Sequence, residues 1–279
     1  MKKLALVLGG GAAKGYAHIG VIKVLEKYGI KPDLIVGTSM GALVGGMYAI
    51  GKDIPYMEEL VSKFNSIGNF SIISTLFKGN ILNIKKVRKI FDQEFGDIKQ
   101  EETPIKFVCV ATDMKTGCPK NFSEGNLKEN IMASISIPGI FPSVKMGENV
   151  YCDGGVVNNL AEDVARDFLP DAVIVSVDVI GEYSKQVEHI KFKTLENLIN
   201  ALTIMTQNVV KNKPIIADVR LSLSLPQVSM LNFSSELGLK TIKKGEAIAT
   251  KNIKKIKELL GVTNENIKSN SRKSKKQAQ

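Results

Sequence analysis

Residues 33–50 read Asp33-Leu34-Ile35-Val36-Gly37-Thr38-Ser39-Met40-Gly41-Ala42-Leu43-Val44-Gly45-Gly46-Met47-Tyr48-Ala49-Ile50. Residues 33–36, apolar from Leu34 on, predict a short strand, and 40–50 predicts a helix whose Gly41, Ala42, Gly45 and Gly46 allow close packing. Between them lies Gly37-Thr38-Ser39-Met40-Gly41. A G-x-S-x-G run at a strand-to-helix junction has the pattern of a nucleophile elbow, a tight turn that lifts a serine hydroxyl out of the sheet. The flanking glycines are needed because side chains there would strike the neighbouring strand and helix. The serine then stands at a helix N-terminus, whose partial positive charge favours developing negative charge. Ser39 is therefore the candidate nucleophile of a serine hydrolase.

Upstream, residues 3–8 read as a strand whose run from Leu4 to Leu8 is continuously apolar, as in a parallel strand covered on both faces. Residues 16–28 carry Ile19, Ile22, Leu25 and Tyr28 at helical spacing, and Gly29 ends the helix. Joining the two is Gly9-Gly10-Gly11-Ala12-Ala13-Lys14-Gly15, a run whose backbone amides can converge on an anion. Three readings compete. A dinucleotide loop wants an acidic residue after the second strand, where Gly37-Thr38-Ser39 stands instead. A phosphate-cradling P-loop wants Lys followed by Ser or Thr, whereas Lys14 precedes Gly15. The reading that fits is an oxyanion hole serving Ser39, since adjacent parallel strands bring their following loops together. Lys14 is a candidate ligand for a substrate phosphate.

Downstream, helices are expected over 84–95, 195–210 and 237–260, and strands over 105–111, 172–179 and 217–223. The 195–210 helix is amphipathic through Leu195, Leu198, Ile199, Leu202, Met205 and Val209. Alternating strands and helices predict an α/β fold with a largely parallel sheet, in which sites form where strands end and helices begin.

An activated serine needs a proton acceptor. The chain has two histidines. His18 precedes the serine inside the first helix and reads as a packed structural residue. His189 lies in the charged stretch 182–193 with no glycine-bounded turn to aim it. A carboxylate acting alone is the better candidate, because desolvation raises an Asp pKa from its usual value near 4. Asp153, followed by Gly154 and Gly155, has the glycine setting of a residue that approaches another backbone closely. Asp113 and Asp178, also at strand ends, are the alternatives.

Composition is that of a globular protein, 44% hydrophobic and 24% charged over 279 residues. Cys109, Cys118 and Cys152, an odd set, show no C-x-x-C spacing, so no disulfide framework is expected; His18 and His189 are too few and too far apart to suggest a zinc site, and Cys152 reads as a small buried filler. The apolar run at 4–8 is shorter than a secretory h-region, and no stretch approaches the ~18 apolar residues of a membrane helix. A cytoplasmic protein is expected. Of the net charge of +10, five come from Lys268, Arg272, Lys273, Lys275 and Lys276 of the C-terminal tail, which has no acidic residue from Asn266 on. That tail, 262–279, is expected to be disordered and solubilising, with peripheral attraction to anionic membrane at the inner membrane face as the sharper reading. No aromatic–basic interleaving points to nucleic acid.

Four blocks, GGGAAKGYAHIGVIKVLE, GTSMG, ASISIPGIFPSV and DGGVVNN, occur in an order that resembles the patatin-like phospholipase family, particularly its bacterial members. They span roughly residues 4–160. The resemblance implies a three-layer α/β/α sandwich with a mostly parallel central sheet, here over 1–261. It also implies acyl-ester hydrolysis of phospholipids, lysophospholipids or related lipids, without metal or cofactor. Carried over residue by residue, Ser39 is the nucleophile and Asp153 the base. The amides of Gly9, Gly10 and Gly11, with that of Met40, are the oxyanion donors, and Gly15, Gly37, Gly41, Gly154 and Gly155 are motif glycines. The family usually has arginine where Lys14 stands, so bidentate anion recognition is lost there, and Ala12 replaces an often-seen fourth glycine. The ASISIPGIFPSV block shapes the site and receives no chemistry.

The apolar stretch 70–82 is a candidate lid or bilayer contact, with buried packing as its plain alternative. Three rival functions remain: an α/β-hydrolase esterase with a Ser-His-Asp triad, a nucleotide-binding oxidoreductase using the glycine run, and a catalytically silent lipid-binding protein.

Overall fold

A computed structural model describes residues 1–66, 84–181, 194–225, 228 and 233–262. The stretch 70–82, His189 and the tail beyond 262 lie outside the described residues.

The strands are β1 (Leu4–Leu8), β2 (Leu34–Thr38), β3 (Lys106–Asp113), β4 (Pro119–Phe122), β5 (Val144–Met146), β6 (Asn149–Asp153), β7 (Val173–Asp178) and β8 (Val219–Ser222). The helices are α1 (Ala17–Lys27), α2 (Met40–Ala49), α3 (Ile54–Ser66), α4 (Ile84–Phe95), α5 (Leu127–Ser134), α6 (Glu162–Phe168), α7 (Thr194–Asn212) and α8 (Ser235–Leu260). One sheet runs β5-β6-β3-β2-β1-β7-β8, with β4 also paired to β3. Strands β3, β2, β1, β7 and β8 are parallel, while β4, β6 and β5 join antiparallel at the β3 edge. The mostly parallel α/β sandwich that the periodicities imply is thus present.

Every residue of β1 and β2 is buried because both faces of the sheet are covered. Leu4, Leu6, Leu8, Ile35, Phe107 and Cys109 point to one core, shared with α1, α2, α3 and α8. Ala5, Val7, Leu34, Val36, Val108 and Val110 point to the other, closed by Leu160, Ala161, Val164 and Ala165 of the α6 segment. A buried Glu162 ties the second layer to the sheet: both its carboxylate oxygens accept from Arg220 of β8, and Oε1 also accepts from the Ser176 hydroxyl of β7. Burial alone would raise its pKa, but these donors and the Ile216 amide outweigh that and hold it low. Among the described residues, no helix is long and apolar enough to cross a membrane.

Strand order reverses around β1, with β2 and β3 on one side and β7 and β8 on the other. At such a switch point the loops after adjacent strands leave a crevice. The glycine run follows β1 and Ser39 follows β2, so the sheet itself brings these two motifs side by side.

Candidate active site

Ser39 joins β2 to α2 with φ 54° and ψ −122°, a region that L-residues seldom occupy. Such backbone costs about 1–3 kcal/mol and persists only where its surroundings enforce it. Three contacts enforce it here. The Ser39 amide donates to Ser134 Oγ at 3.0 Å, and Ser134 Oγ donates in turn to Val110 O at 2.6 Å. Ser39 O accepts from the Ala42 and Leu43 amides of α2. Thr38 Oγ1 donates to Asn158 O. Gly41 crosses the end of β1 so closely that a Cβ would overlap Leu8 O, which is why the elbow needs glycine there.

Asp153 is the last residue of β6. Its amide donates to Ser136 O at 2.9 Å and its carbonyl accepts from Thr112 Oγ1 at 2.8 Å. Its carboxylate is divided between two donors: Gly155 N reaches Oδ1 at 2.7 Å and Ser39 Oγ reaches Oδ2 at 2.6 Å. Ser39 and Asp153 are each only 5% exposed. Burial pushes the Asp153 pKa up to about 6, against the downward pull of the Ser39 and Gly155 donors. A carboxylate of that strength accepts a proton from a neighbour far more readily than an ordinary Asp. Asp113 and Asp178 bind nearby amides, from Lys115 and from Ile180 and Gly181, and neither reaches Ser39.

His18 is fully buried, and its Nε2 lies 2.8 Å from Gly9 O. A carbonyl only accepts, so Nε2 carries the proton. Burial lowers its pKa to about 4, keeping the ring neutral. His18 therefore supports the glycine run and serves no triad.

The three glycines of that run are not equivalent. Gly9 N donates to Val177 O at 3.1 Å and Gly10 N to Asn159 O at 3.2 Å, so two of the three expected oxyanion donors are already engaged. Among the described residues no group accepts from Gly11 N. Met40 opens α2, and its amide has no acceptor within the helix. Lys14 is half-buried near Asp178, its pKa lowered by burial against that carboxylate's pull, and it is not part of the cavity wall.

A cavity of about 70 Å³ opens over the pair. Ser39, Asp153, Gly11 and Ala12 contribute one side, while Ile137, Pro138, Ile140, Ile180, Leu202 and Met205 make an apolar wall. Two of these come from α7, which is hydrogen-bonded across the site through Thr206 Oγ1 to Gly155 O. Leu202 and Met205 of the apolar stripe thus face the cavity rather than the core, and Met205 is 59% exposed. Among the described residues, no three His, Cys, Asp or Glu side chains gather as metal ligands do.

A model of the family described as patatin-like phospholipase matches residues 6–166. The chain belongs to this family. A lysophospholipase nte1 of Aspergillus fumigatus is 34% identical over 182 residues, 64% of this chain and 12% of its own length. An uncharacterized NTE family protein of Mycobacterium tuberculosis is 36% identical over 168 residues, 58% of this chain and 28% of its own. The chain therefore spans only a minor part of these relatives. VipD from Legionella pneumophila superposes with a TM-score of 0.46 at 15% identity, covering 90% of this chain and 66% of that one.

The fold brings Ser39, Asp153 and the glycine run, all singled out by motif, into one place, and it adds three supports that the motifs do not name. Ser134, Thr112 and Asn159 act through hydrogen bonds to partners far away in sequence. Ser134 and Asn159 fall inside two of the blocks that carry the resemblance, which is the signal that marks them.

Proposed function

We propose that the chain hydrolyses fatty-acyl esters of lipids, phospholipids or lysophospholipids, through a Ser39–Asp153 dyad and an acyl-enzyme. The observation that carries this reading is the 2.6 Å hydrogen bond from Ser39 Oγ to a buried carboxylate, set beside an apolar cavity. Asp153 takes the hydroxyl proton as Oγ attacks the ester carbonyl. The tetrahedral oxyanion is held by Gly11 N–H, and by Met40 N–H at the positive end of α2. Gly9 and Gly10 hold the loop in shape. Collapse expels the alcohol portion of the lipid, which takes the proton from Asp153. Water then attacks the acyl-serine with Asp153 again as base, releasing the fatty acid and restoring Ser39.

The relatives named lysophospholipase make single-chain phospholipids the first substrates to try. A reducing, cytoplasmic setting with peripheral access to bilayers fits the free Cys109, Cys118 and Cys152. The test is fatty-acid release by wild type and Ser39→Ala from a panel of phospholipids, lysophospholipids and acylglycerols. Release by wild type alone supports the proposal. No release from any ester, or equal release by both proteins, overturns it.

A further inference from the structure

We propose that Asn159 is a positioning residue for the oxyanion hole: its carboxamide and its carbonyl together clamp Gly10 and turn the Gly11 amide toward the ester. The inference rests on the reading of Ser39 as an acyl-transfer nucleophile.

Asn159 is 3% exposed and lies between the two loops that make the site. Its backbone carbonyl accepts from Gly10 N, and its side-chain Nδ2 donates to Gly10 O, each at 3.2 Å. Its Oδ1 lies against both Gly10 and Gly155, the residue after next from the base. One side chain thus spans the gap between the glycine run and the Asp153 loop.

The consequence follows from peptide geometry. In a trans peptide the carbonyl and the next residue's N–H point in opposite directions. Gly9 O is held by His18 Nε2, and Gly10 N on the other side of that peptide by Asn159 O. The next peptide has only one anchor among the described residues: Gly10 O on Asn159 Nδ2. Holding Gly10 O there turns Gly11 N–H away from Asn159, and Gly11 lines the cavity with Ser39. A glycine-rich loop has little steric preference of its own, so the carboxamide decides where this donor points. Oxyanion donors act by being aimed before the charge develops. Removing Nδ2 should therefore weaken transition-state binding and leave substrate binding alone.

The test uses Asn159→Ala and the nearly isosteric Asn159→Asp, which keeps volume but presents no amide hydrogen to Gly10 O. Both are assayed on a soluble short-chain aryl ester, with active sites counted by fluorophosphonate titration of Ser39 so that misfolded molecules drop out. The expected result is a kcat per titrated site lowered about 10- to 100-fold, below or at the range for outright loss of a donor. KM stays within about twofold. Inhibition by a trifluoromethyl ketone, which forms an oxyanion on Ser39, weakens by the same factor as kcat/KM. Inhibition by the corresponding fatty alcohol does not change. Unchanged kcat per site, or a raised KM at constant kcat, overturns the proposal. A wild type that neither titrates nor turns over fails the hydrolase reading instead.

Discussion

Ser39 and Asp153 meet at 2.6 Å although their strands do not touch: β3 lies between β2 and β6. The register of β3 explains the meeting. Thr38, just before Ser39, aligns with Val110, and Asp153 aligns with the next residue, Ala111. The same strand then fixes both ends. Val110 O receives the Ser134 hydroxyl that holds the Ser39 amide, and Thr112 Oγ1 holds the Asp153 carbonyl. The Ser39–Asp153 contact is thus a product of sheet register.

Activity should follow the ionisation of Asp153. Only its charged form takes the Ser39 proton, and its pKa is about 6. A plot of kcat/KM against pH should therefore rise through about pH 6 and level off above it. An unperturbed Asp would give a plateau already by about pH 5. Asp153→Asn should lose at least about 10²-fold in kcat, the lower range for a general base. A profile flat from pH 5 to 8 would contradict the assignment.

The same group should make the site costly to the fold. Asp153 titrates near 6 when folded and near 3.8 when unfolded. Between those values the folded chain holds a proton that the unfolded chain has lost, so stability falls as pH rises from about 4 to about 6 and stays reduced above. At about 1.4 kcal/mol per pH unit the full penalty is about 3 kcal/mol. Asp153→Asn keeps the shape without the charge, and should be more stable than wild type by up to that amount at pH 8, with the gain vanishing below about pH 4. His18 works in the opposite sense, since its pKa falls from 6.5 to about 4 on folding and stability is lost as pH drops through that window. The two trends offset one another in the wild type, and the variant exposes the histidine's. Guanidinium midpoints at pH 4, 6 and 8 measure both.

The parts of this structure that were legible in the sequence are the ones governed by local pattern. Strands β1, β2 and β7 read as mostly apolar runs because both faces are buried. Strands β4 and β5 did not, because they are short and exposed at the edge: β4 is Pro119-Lys120-Asn121-Phe122, and β5 is three residues. Helix α6 is seven residues, too short to show a period. In the site, glycine-flanked Ser39 and Asp153 stood out because their backbones require it. Which glycine amides were engaged did not, because Val177 and Asn159 take them from about 150 residues or more away. The stripe on α7 was visible, but sequence alone does not say whether such a stripe faces a core or a cavity mouth.

The strained backbone of Ser39 yields a prediction of its own. Ser39→Ala and Ser39→Gly both delete the hydroxyl and should both be inactive. They differ in whether a Cβ remains at φ 54°. Glycine relieves a strain of about 1–3 kcal/mol and gives back about 0.5–1 kcal/mol in unfolded-chain entropy. Ser39→Gly should therefore be the more stable of the two by about 1 kcal/mol, read from denaturant midpoints at constant m. Equal stability would mean that Ser134 and α2 leave no strain at the elbow.

Leu202 and Met205 of α7 offer a handle on chain-length preference. Both line the apolar wall, and neither belongs to the dyad or its supports. An acyl chain long enough to reach them buries surface that an acetyl group never touches, at about 25 cal/mol per Å². Replacing both with serine should lower kcat/KM for an octanoyl ester roughly tenfold, about 1.4 kcal/mol, and leave the acetyl ester of the same alcohol within about twofold. The comparison is internal, because a general disturbance of Ser39 or Asp153 would slow both esters alike. If the octanoyl-to-acetyl ratio stays at the wild-type value, the chain runs along a different wall, and the stripe on α7 has no part in choosing the substrate.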